Sequence, residues 1–281
     1  MNVFNSSIPS YHHKSVGGYS PAKLQRYQDL IEQYLAGEIN GLYKQLDQVE
    51  SLEEVSDWMA TGTPVLNALN TRYIILDGDY APLVNYSAFG PAWFVDSVVK
   101  AANPDEEIAL LGAVDLRHQA VVTEPIDLPE QSEENSLDYI ELVSYAPNQL
   151  IYKYSAATNR LAVFSEIYYP NGWKMNILPE GESWRSSERP AGSGTFAKAK
   201  VVEDEKAAGD NRGQSPLIRA DWTLRAAVLP AGEHEVVMTF RPESYRIGAA
   251  VSRVSSIALL LLVLASVGLI VYSEKKKRNE Q

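Results

Sequence analysis

The sequence contains no cysteine, only four histidines, and fewer basic than acidic residues. The absence of cysteine excludes disulfide bonds, thiolate nucleophiles and cysteine-ligated zinc. The 25 lysines and arginines are outnumbered by 36 aspartates and glutamates, so the formal net charge at pH 7 is −11. Because binding to phosphate backbones needs a basic face, this balance argues against nucleic acid as a partner. A chain of 281 residues is long enough for one or two domains with a substantial core.

Motifs for common cofactors and metals are missing or incomplete. Asp77–Asp79 begins like a calcium-binding loop, but Pro82 and Ala88 stand where that loop needs glycine and glutamate. Gly192–Ala197 matches a dinucleotide-binding pattern, yet no strand precedes it and no convincing helix follows it. There is no GxSxG, HExxH or Walker motif. We therefore expect no cofactor and no metal, and we assign no catalytic residue.

Only one long hydrophobic run is present, near the end of the chain. Val254–Ser273 carries no charge and is rich in leucine, isoleucine and valine. A helix of about 20 residues spans the roughly 30 Å hydrocarbon core of a bilayer. We predict a transmembrane helix over 247–273 and a basic tail over 274–281. The cluster Lys275–Arg278 favours a cytoplasmic C-terminus, which would place residues 1–245 outside the cytoplasm.

The first residues, MNVFNSSIPSYHHKSVGG, do not resemble an export signal. They lack a basic segment followed by an apolar one, which a signal peptide requires. Two alternatives follow. Either the body stays in the cytoplasm on a tail anchor, or the chain is the end of a longer protein whose earlier spans carry it across the membrane.

Helix signals dominate the first part of the chain. Ser20 and Pro21 predict a helix start, and Gly37 predicts its end. A capping box at Ser51–Glu54 opens a second helix. The pairs Thr63-Pro64 and Asn103-Pro104 predict two further helix starts. We assign 1–50 to an N-terminal helical segment.

Short apolar runs between these helices predict strands. The runs are Arg72–Leu76, which we expect to be buried, Ala92–Val99 and Gln119–Val122. Strands alternating with helices predict a small mixed α/β unit over 51–123.

After an acidic, proline-rich linker over 124–137, the pattern changes to β-structure. Six runs rich in β-formers are separated by turn signals, which predicts an antiparallel β-sandwich over 138–246. In one of them, Val236–Arg241, the alternation predicts a half-buried strand. A polar, glycine-rich stretch over 179–216 is expected to be a flexible insertion. The predicted fold class is α+β: a small mixed α/β unit, then an antiparallel β-sandwich, then one C-terminal transmembrane helix.

One polar cluster before the first long helix is a candidate binding site. It combines two aromatic-flanked histidines with three basic side chains around two glycines, and it could hold a phosphate or a sugar. Its residues are Tyr11, His12, His13, Lys14, Lys23 and Arg26. Adjacent histidines point in different directions and chelate a metal poorly. Composition alone favours the simpler interpretation, a solvated start of a helix.

A second candidate lies in the β-rich part. Glu166 is the carboxylate that stands out as a candidate to act on a sugar. It is followed by Tyr168, Tyr169 and Trp173, which could provide a stacking face for a sugar if they are exposed. Aromatic residues beside a turn more often fill the core, and a strand carboxylate is more often solvated.

Taken in order, several segments resemble the C-terminal part of the YfhO family of bacterial multi-span membrane proteins. They are NSSIPSYHHKSVGGYSPAKLQRYQDLI, VLNALNTRYIIL, FGPAWFVDSVVKAANPDEEIALLGAVD, YAPNQLIYKYSAATNRLAVFSEIYYPNGWK and RADWTLRAAVLPAGEHEVVMTFRPESYRIG. The resemblance covers nearly the whole chain up to and including the last span. The stretches GYSPAKLQRYQ, FSEIYYPNGWK and LRAAVLPAGEHEV are the most specific. The chain departs from the family by inserting Glu180–Ser215 between two strands.

The resemblance implies a function. Members of this family resemble multi-span glycosyltransferases that use polyprenyl-phosphate sugars and glycosylate cell-surface polymers. The acidic catalytic residue of that class usually lies in an early extracytoplasmic loop, in a region that would precede this chain. The resemblance therefore implies an extracytoplasmic C-terminal module with the last membrane helix, without the catalytic half. Its partners would be the lipid bilayer, a lipid-linked sugar or surface polymer, and the upstream multi-span portion.

Two other functions remain open at this point. The chain could be a membrane-anchored, non-catalytic β-sandwich that binds carbohydrate or protein. It could also be an independent hydrolase, although the only support for this is the presence of carboxylates whose relative positions the sequence does not give.

Overall fold

The computed structural model describes residues 3–49, 51–77, 79–126, 137–178, 180, 181, 184 and 216–279. Its helices are α1 (Ile8–His12), α2 (Gln25–Leu30), a π-helical turn (Ile31–Leu35), α3 (Ala36–Leu46), α4 (Leu52–Gly62), α5 (Pro64–Ala68), α6 (Pro104–Leu110) and α7 (Glu243–Asn279). Its strands are β1 (Tyr73–Ile74), β2 (Leu83–Val84), β3 (Ala92–Val95), β4 (Ser97–Lys100), β5 (Gln119–Val122), β6 (Tyr139–Ala146), β7 (Gln149–Ala156), β8 (Arg160–Ile167), β9 (Trp173–Ile177), β10 (Ile218–Ala220), β11 (Leu224–Leu229) and β12 (Gly232–Phe240). The predicted fold class is confirmed.

The first long helix differs from its prediction at both ends. Leu24, in extended conformation, precedes α2, so Ser20 and Pro21 lie outside the helix. The helix also continues through the π-helical turn and past Gly37 to Leu46. Gly37 is exposed and a helical glycine costs only about 1 kcal/mol relative to alanine, whereas the burial of Leu42 in the α3–α4 contact favours continuation.

The predicted starts of α4, α5 and α6 are confirmed, and those of α4 and α6 carry a side-chain cap. The hydroxyl oxygen of Ser51 accepts a hydrogen bond from the backbone N–H of Glu54, and the side chain of Asn103 accepts one from Glu106. Proline occupies the first turn of both α5 and α6. The free N–H groups of α5 are bound by a distant side chain, because both carboxylate oxygens of Glu38 accept from Val65 and Leu66, at 2.9 and 2.8 Å.

Two four-stranded antiparallel sheets form the predicted sandwich. Their strand orders are β10-β11-β8-β3 and β6-β7-β12-β9. All six predicted strands after residue 137 are present, together with the additional strand β10. The edge strand β3 comes from the part of the chain that was predicted to form a mixed α/β unit, and it pairs with β8.

Two strand predictions in the first part are wrong. Arg72–Leu76 contributes only the two-residue strand β1, and its side chains Tyr73, Ile75 and Leu76 are exposed. Ala92–Val99 is two strands rather than one, since β3 joins the sandwich and β4 pairs in parallel with β5. The chain turns at Asp96, whose carboxylate binds Arg160 at 2.8 Å and His118 at 2.7 Å.

The sheet that contains β8 is buried on both of its faces, one against the other sheet and one against the helices. On β8, Ala162 and Phe164 face the core between the two sheets, whereas Leu161 and Val163 face a second core under the helices. The half-buried pattern predicted for β12 is also wrong, because Val237 is as buried as its neighbours Val236 and Met238. The predicted linker and insertion fall mostly outside the described residues.

The last helix is exposed along its apolar part up to Leu269. Within α7, the segment Glu243–Leu269 is long and apolar enough to cross a membrane, and none of its most apolar window is buried against the rest of the chain. Exposing so many leucine, isoleucine and valine side chains to water is unfavourable, so this helix fits a lipid environment. Its orientation across the membrane remains a prediction.

A buried aspartate joins the sandwich to β5. Asp221 lies in the turn between β10 and β11 with a positive φ of 49°, and its backbone N–H donates to Val121 at 2.8 Å. Its carboxylate accepts from the N–H of Val121, also at 2.8 Å, while its second oxygen is buried without a partner. Burial raises the pKa of Asp221 to about 7.

This shift predicts a pH-dependent stability. An aspartate with an ordinary pKa of 3.8 ionises in the unfolded chain before it ionises in the fold. The free energy of unfolding should therefore fall as the pH rises from about 4 to about 7, and level off above. Asp221→Asn should reduce this fall when unfolding is measured across that range. Glu38, whose pKa burial also raises to about 7, should retain part of it. An unchanged slope in the variant would contradict the assignment.

Candidate functional site

The first three residues of the predicted cluster lie on the surface. Tyr11 and His12 are in the last turn of α1, and His13 follows it. Tyr11 is 83% exposed, its ring centroid is 5.0 Å from that of His12, and the two histidine rings are 6.4 Å apart. In the described part of the chain, no group of three histidine or acidic side chains is arranged to hold a metal ion.

Lys23 and Arg26 contact other parts of the fold than Lys14 does. The ammonium of Lys23 donates to the side chain of Gln28 at 3.2 Å. The guanidinium of Arg26 lies 3.9 Å from the ring centroid of Trp222 and 3.5 Å from the buried carboxylate of Glu107. The indole N–H of Trp222 in turn donates to the backbone oxygen of Arg26. These contacts give Arg26 a role in joining α2 to the sandwich.

Lys14 reaches the sandwich itself. Its Nζ atom lies 3.0 Å from the ring centroid of Tyr145 on β6. Partial burial lowers the pKa of Lys14, and the carboxylate of Glu166 opposes that shift. Lys14 thus links the two candidate sites predicted from the sequence, because it interacts electrostatically with Glu166 of the second one.

Six side chains form a group around Lys14 and Glu166, and we call this group the end cluster. They combine two cations, one carboxylate and three aromatic rings from five strands and the N-terminal segment. They are Lys14, Tyr145, Tyr152, Glu166, Trp173 and Arg225. Strand alternation explains the inward position of Tyr152, which lies between Leu150 and Tyr154 on the inner face of β7.

Arg225 is the most constrained member of the end cluster. Its residue is only 4% exposed, and its guanidinium stacks on Trp173 at 3.9 Å from the ring centroid. Its Nε donates to the backbone oxygen of Ile167 at 3.0 Å, whereas Nη1 is buried without a hydrogen-bond partner. Burial lowers the pKa of Arg225, and Glu166 acts against that shift.

Tyr152 adds a second unsatisfied donor. Its side chain is fully buried, its ring meets Phe164 edge-on at 4.9 Å, and its hydroxyl has no hydrogen-bond partner. Burial raises the pKa of Tyr152, with a smaller contribution from Glu166. The same hydroxyl interacts electrostatically with Arg225. Two unsatisfied donors in one cluster are notable, because buried polar groups are nearly always hydrogen-bonded.

The end cluster lies at the end of the sandwich from which α7 begins. Trp173 is paired with Phe240, the last residue of β12, and their ring centroids are 5.2 Å apart. The N–H of Arg241 donates to the backbone oxygen of Gly172 at 2.7 Å, just before α7 starts. Gly172 has a φ of 109°, and a Cβ there would lie 2.8 Å from the Phe240 ring, so glycine is required for this close approach.

The predicted aromatic stacking face is only partly available. Tyr169 is 42% exposed and contacts Phe240. Trp173 is covered on one side by Arg225 and packs against the inner core, so it is not an open platform.

Sequence reasoning missed Tyr145, Tyr152 and Arg225. The sequence did contain a signal for Arg225, since it is the one charged residue in the otherwise apolar run Leu224–Leu229. The two tyrosines carry no such signal, because tyrosine is common on both faces of strands.

The chain was compared with protein-family models, curated proteins and solved structures, and none of these comparisons yields a match.

The two inner tyrosines of β7 allow a matched prediction. The hydroxyl of Tyr154 donates to the backbone oxygen of Pro230 at 3.0 Å, whereas that of Tyr152 has no partner. Tyr154→Phe should lower the free energy of unfolding by about 1 kcal/mol, and Tyr152→Phe should leave it unchanged or raise it. Chemical denaturation of both variants checks this. A larger loss for Tyr152→Phe would mean that its hydroxyl is satisfied in the fold.

Proposed function

We propose that this chain is the extracytoplasmic, membrane-anchored module of a system that glycosylates a cell-surface polymer. The module holds a ligand at the membrane surface, and catalysis belongs to another part of the system. The observation that carries the proposal is the position of the end cluster beside the start of α7. With α7 in a bilayer, a group bound in this cluster would lie close to the lipid headgroups.

The glycosylation context is supported by the resemblance of the quoted segments to the C-terminal part of the YfhO family. Two of its most specific stretches supply members of the end cluster. Glu166 and Trp173 belong to FSEIYYPNGWK, and Arg225 belongs to LRAAVLPAGEHEV. Lys14 lies just before the third, GYSPAKLQRYQ. Most residues of the end cluster therefore come from, or adjoin, the segments that carry the resemblance.

The proposed topology can be tested by cysteine labelling, since the natural sequence has no cysteine. We expect Ala22→Cys, at an exposed position of the body, to react with a membrane-impermeant maleimide in intact cells. Gln281→Cys, in the basic tail, should react only after the cells are broken. The reverse pattern would place the body in the cytoplasm and contradict the proposal.

The proposed role can be tested in the source organism by replacing both His13 and Lys14 with alanine. Both residues lie at the surface, and the contact of Lys14 with the half-exposed Tyr145 ring is a surface contact, so the fold should not be disturbed. We expect the sugar content of the surface polymer to fall while the amount of the chain in the membrane stays constant. Unchanged glycosylation at unchanged protein level would refute a role for this part of the module.

A second candidate is a membrane-anchored β-sandwich that binds carbohydrate or protein independently of any glycosyltransferase. The partly exposed rings of Tyr145 and Tyr169 at the α7 end favour it, since such rings contribute strongly to recognition. Under this candidate, polymer glycosylation would not respond to the double replacement, whereas ligand binding by the isolated full chain would.

A further inference from the structure

We infer that the end cluster is a binding site for an oxyanion, a phosphate or carboxylate group that enters between Lys14 and Tyr145 and is held by Arg225 and Tyr152. This inference rests on the proposed function only in taking the end cluster as the ligand site. It requires neither the glycosylation context nor the proposed membrane topology.

The first argument is the unsatisfied hydrogen-bonding capacity. Nη1 of Arg225 and the hydroxyl of Tyr152 are both buried donors without partners. A guanidinium nitrogen left without a hydrogen-bond acceptor in the interior is costly, since a buried charge is tolerated chiefly when its donors are paired. Arginine presents its N–H groups in a planar fork that matches the oxygens of a carboxylate or phosphate.

The second argument is charge. Arg225 and Lys14 carry two formal positive charges, and Glu166 supplies the one formal negative charge of the end cluster. Among the ion pairs of the described residues, none joins Glu166 to Arg225, although the two interact electrostatically. The cluster thus retains one excess positive charge inside a protein of net charge −11. A bound oxyanion would neutralise that charge.

The third argument is that the guanidinium is fixed in advance. The stack on Trp173 and the hydrogen bond from Nε to Ile167 hold the plane of Arg225 in one orientation. Preorganisation of this kind reduces the entropy lost on binding.

An anion can reach the end cluster from the side formed by Lys14 and Tyr145. Tyr145 is 45% exposed and Lys14 is exposed, so this side of the cluster borders solvent. The Lys14 contact with Tyr145 is a cation–π interaction at the surface, which is weaker than a charge-assisted hydrogen bond. A phosphate or carboxylate would displace it by offering Lys14 this stronger partner. Lys14 therefore acts both as a cover of the site and as its outer ligand.

The experiment uses the full chain in nanodiscs of phosphatidylcholine, titrated with inorganic phosphate, with acetate and with glycerol as a neutral control. Binding is followed by thermal unfolding and by tryptophan fluorescence, with Trp173→Phe identifying the signal of the stacked indole. We expect saturable stabilisation by at least one of the two anions and none by glycerol. Lys14→Gln and Tyr152→Phe should each weaken the affinity at least about 5-fold, the effect of about 1 kcal/mol for one hydrogen bond or charge contact.

Matched variants separate binding from nonspecific effects. Lys44→Gln removes the same charge from an exposed position on α3 and should leave the affinity unchanged. Tyr152→Phe should bind more weakly while unfolding at no lower temperature than the natural chain, a combination that a purely structural hydroxyl would not produce. No saturable response, or an equal response in the natural chain and in Lys14→Gln, would overturn the inference.

The source of the anion is resolved by a second set of nanodiscs that also contain phosphatidylglycerol. The phosphate of an anionic lipid, which no choline group neutralises, would compete if it were the natural ligand, and the apparent affinity for free phosphate would fall. An unchanged affinity would assign the site to a soluble or polymer-borne anion. Labelling of Ala22→Cys in intact cells reports the topology separately, so failure of the proposed function and failure of anion binding give different results.

Discussion

The sandwich depends on one strand that is buried on both faces. β8 lies between β11 and β3, and its side chains alternate between the two cores. Burial of such side chains contributes about 1.5–3 kcal/mol each, so β8 couples the packing of the helices to the packing of the second sheet. Its two ends also carry charge. Arg160 at one end binds Asp96 and Asp138, and Glu166 belongs to the end cluster at the other.

The end cluster illustrates a conflict between stability and recognition. A sandwich optimised for stability would fill the space around Phe164 with apolar side chains, as it does elsewhere on the inner faces. Here an arginine and a tyrosine hydroxyl are buried with unsatisfied donors. Natural proteins accept such local costs mainly at functional sites, where a ligand offsets them. This local cost is the physical reason for the proposed binding site at this end of the molecule.

The exposed helix α7 begins at the same end of the sandwich as the end cluster. In the proposed membrane-anchored arrangement, a span that begins directly after β12 would turn this end of the sandwich toward the lipid, because the loop between them is short and is held by the contacts of Gly172. Lys14, at the rim of the same end, comes from the N-terminal segment. The N-terminal segment and the segment that leads into α7, which are far apart in sequence, therefore contribute to one surface.

The sequence by itself determined the elements whose signals are local. The caps at Ser51 and Asn103 depend on atoms three residues apart, and the uncharged run of α7 depends on composition. The six strands after residue 137 follow from β-formers separated by turns. Tertiary structure decided what depends on distant partners. Helix α3 continues past Gly37 because of packing, and the chain turns at Asp96 because Arg160 and His118 bind it there. Of the six residues of the end cluster, sequence reasoning singled out Lys14, Glu166 and Trp173 but could not bring them together. Their meeting requires the pairing of strands as far from Lys14 as β11, whose Arg225 lies 211 residues away (225 − 14). No local pattern encodes which strands become neighbours.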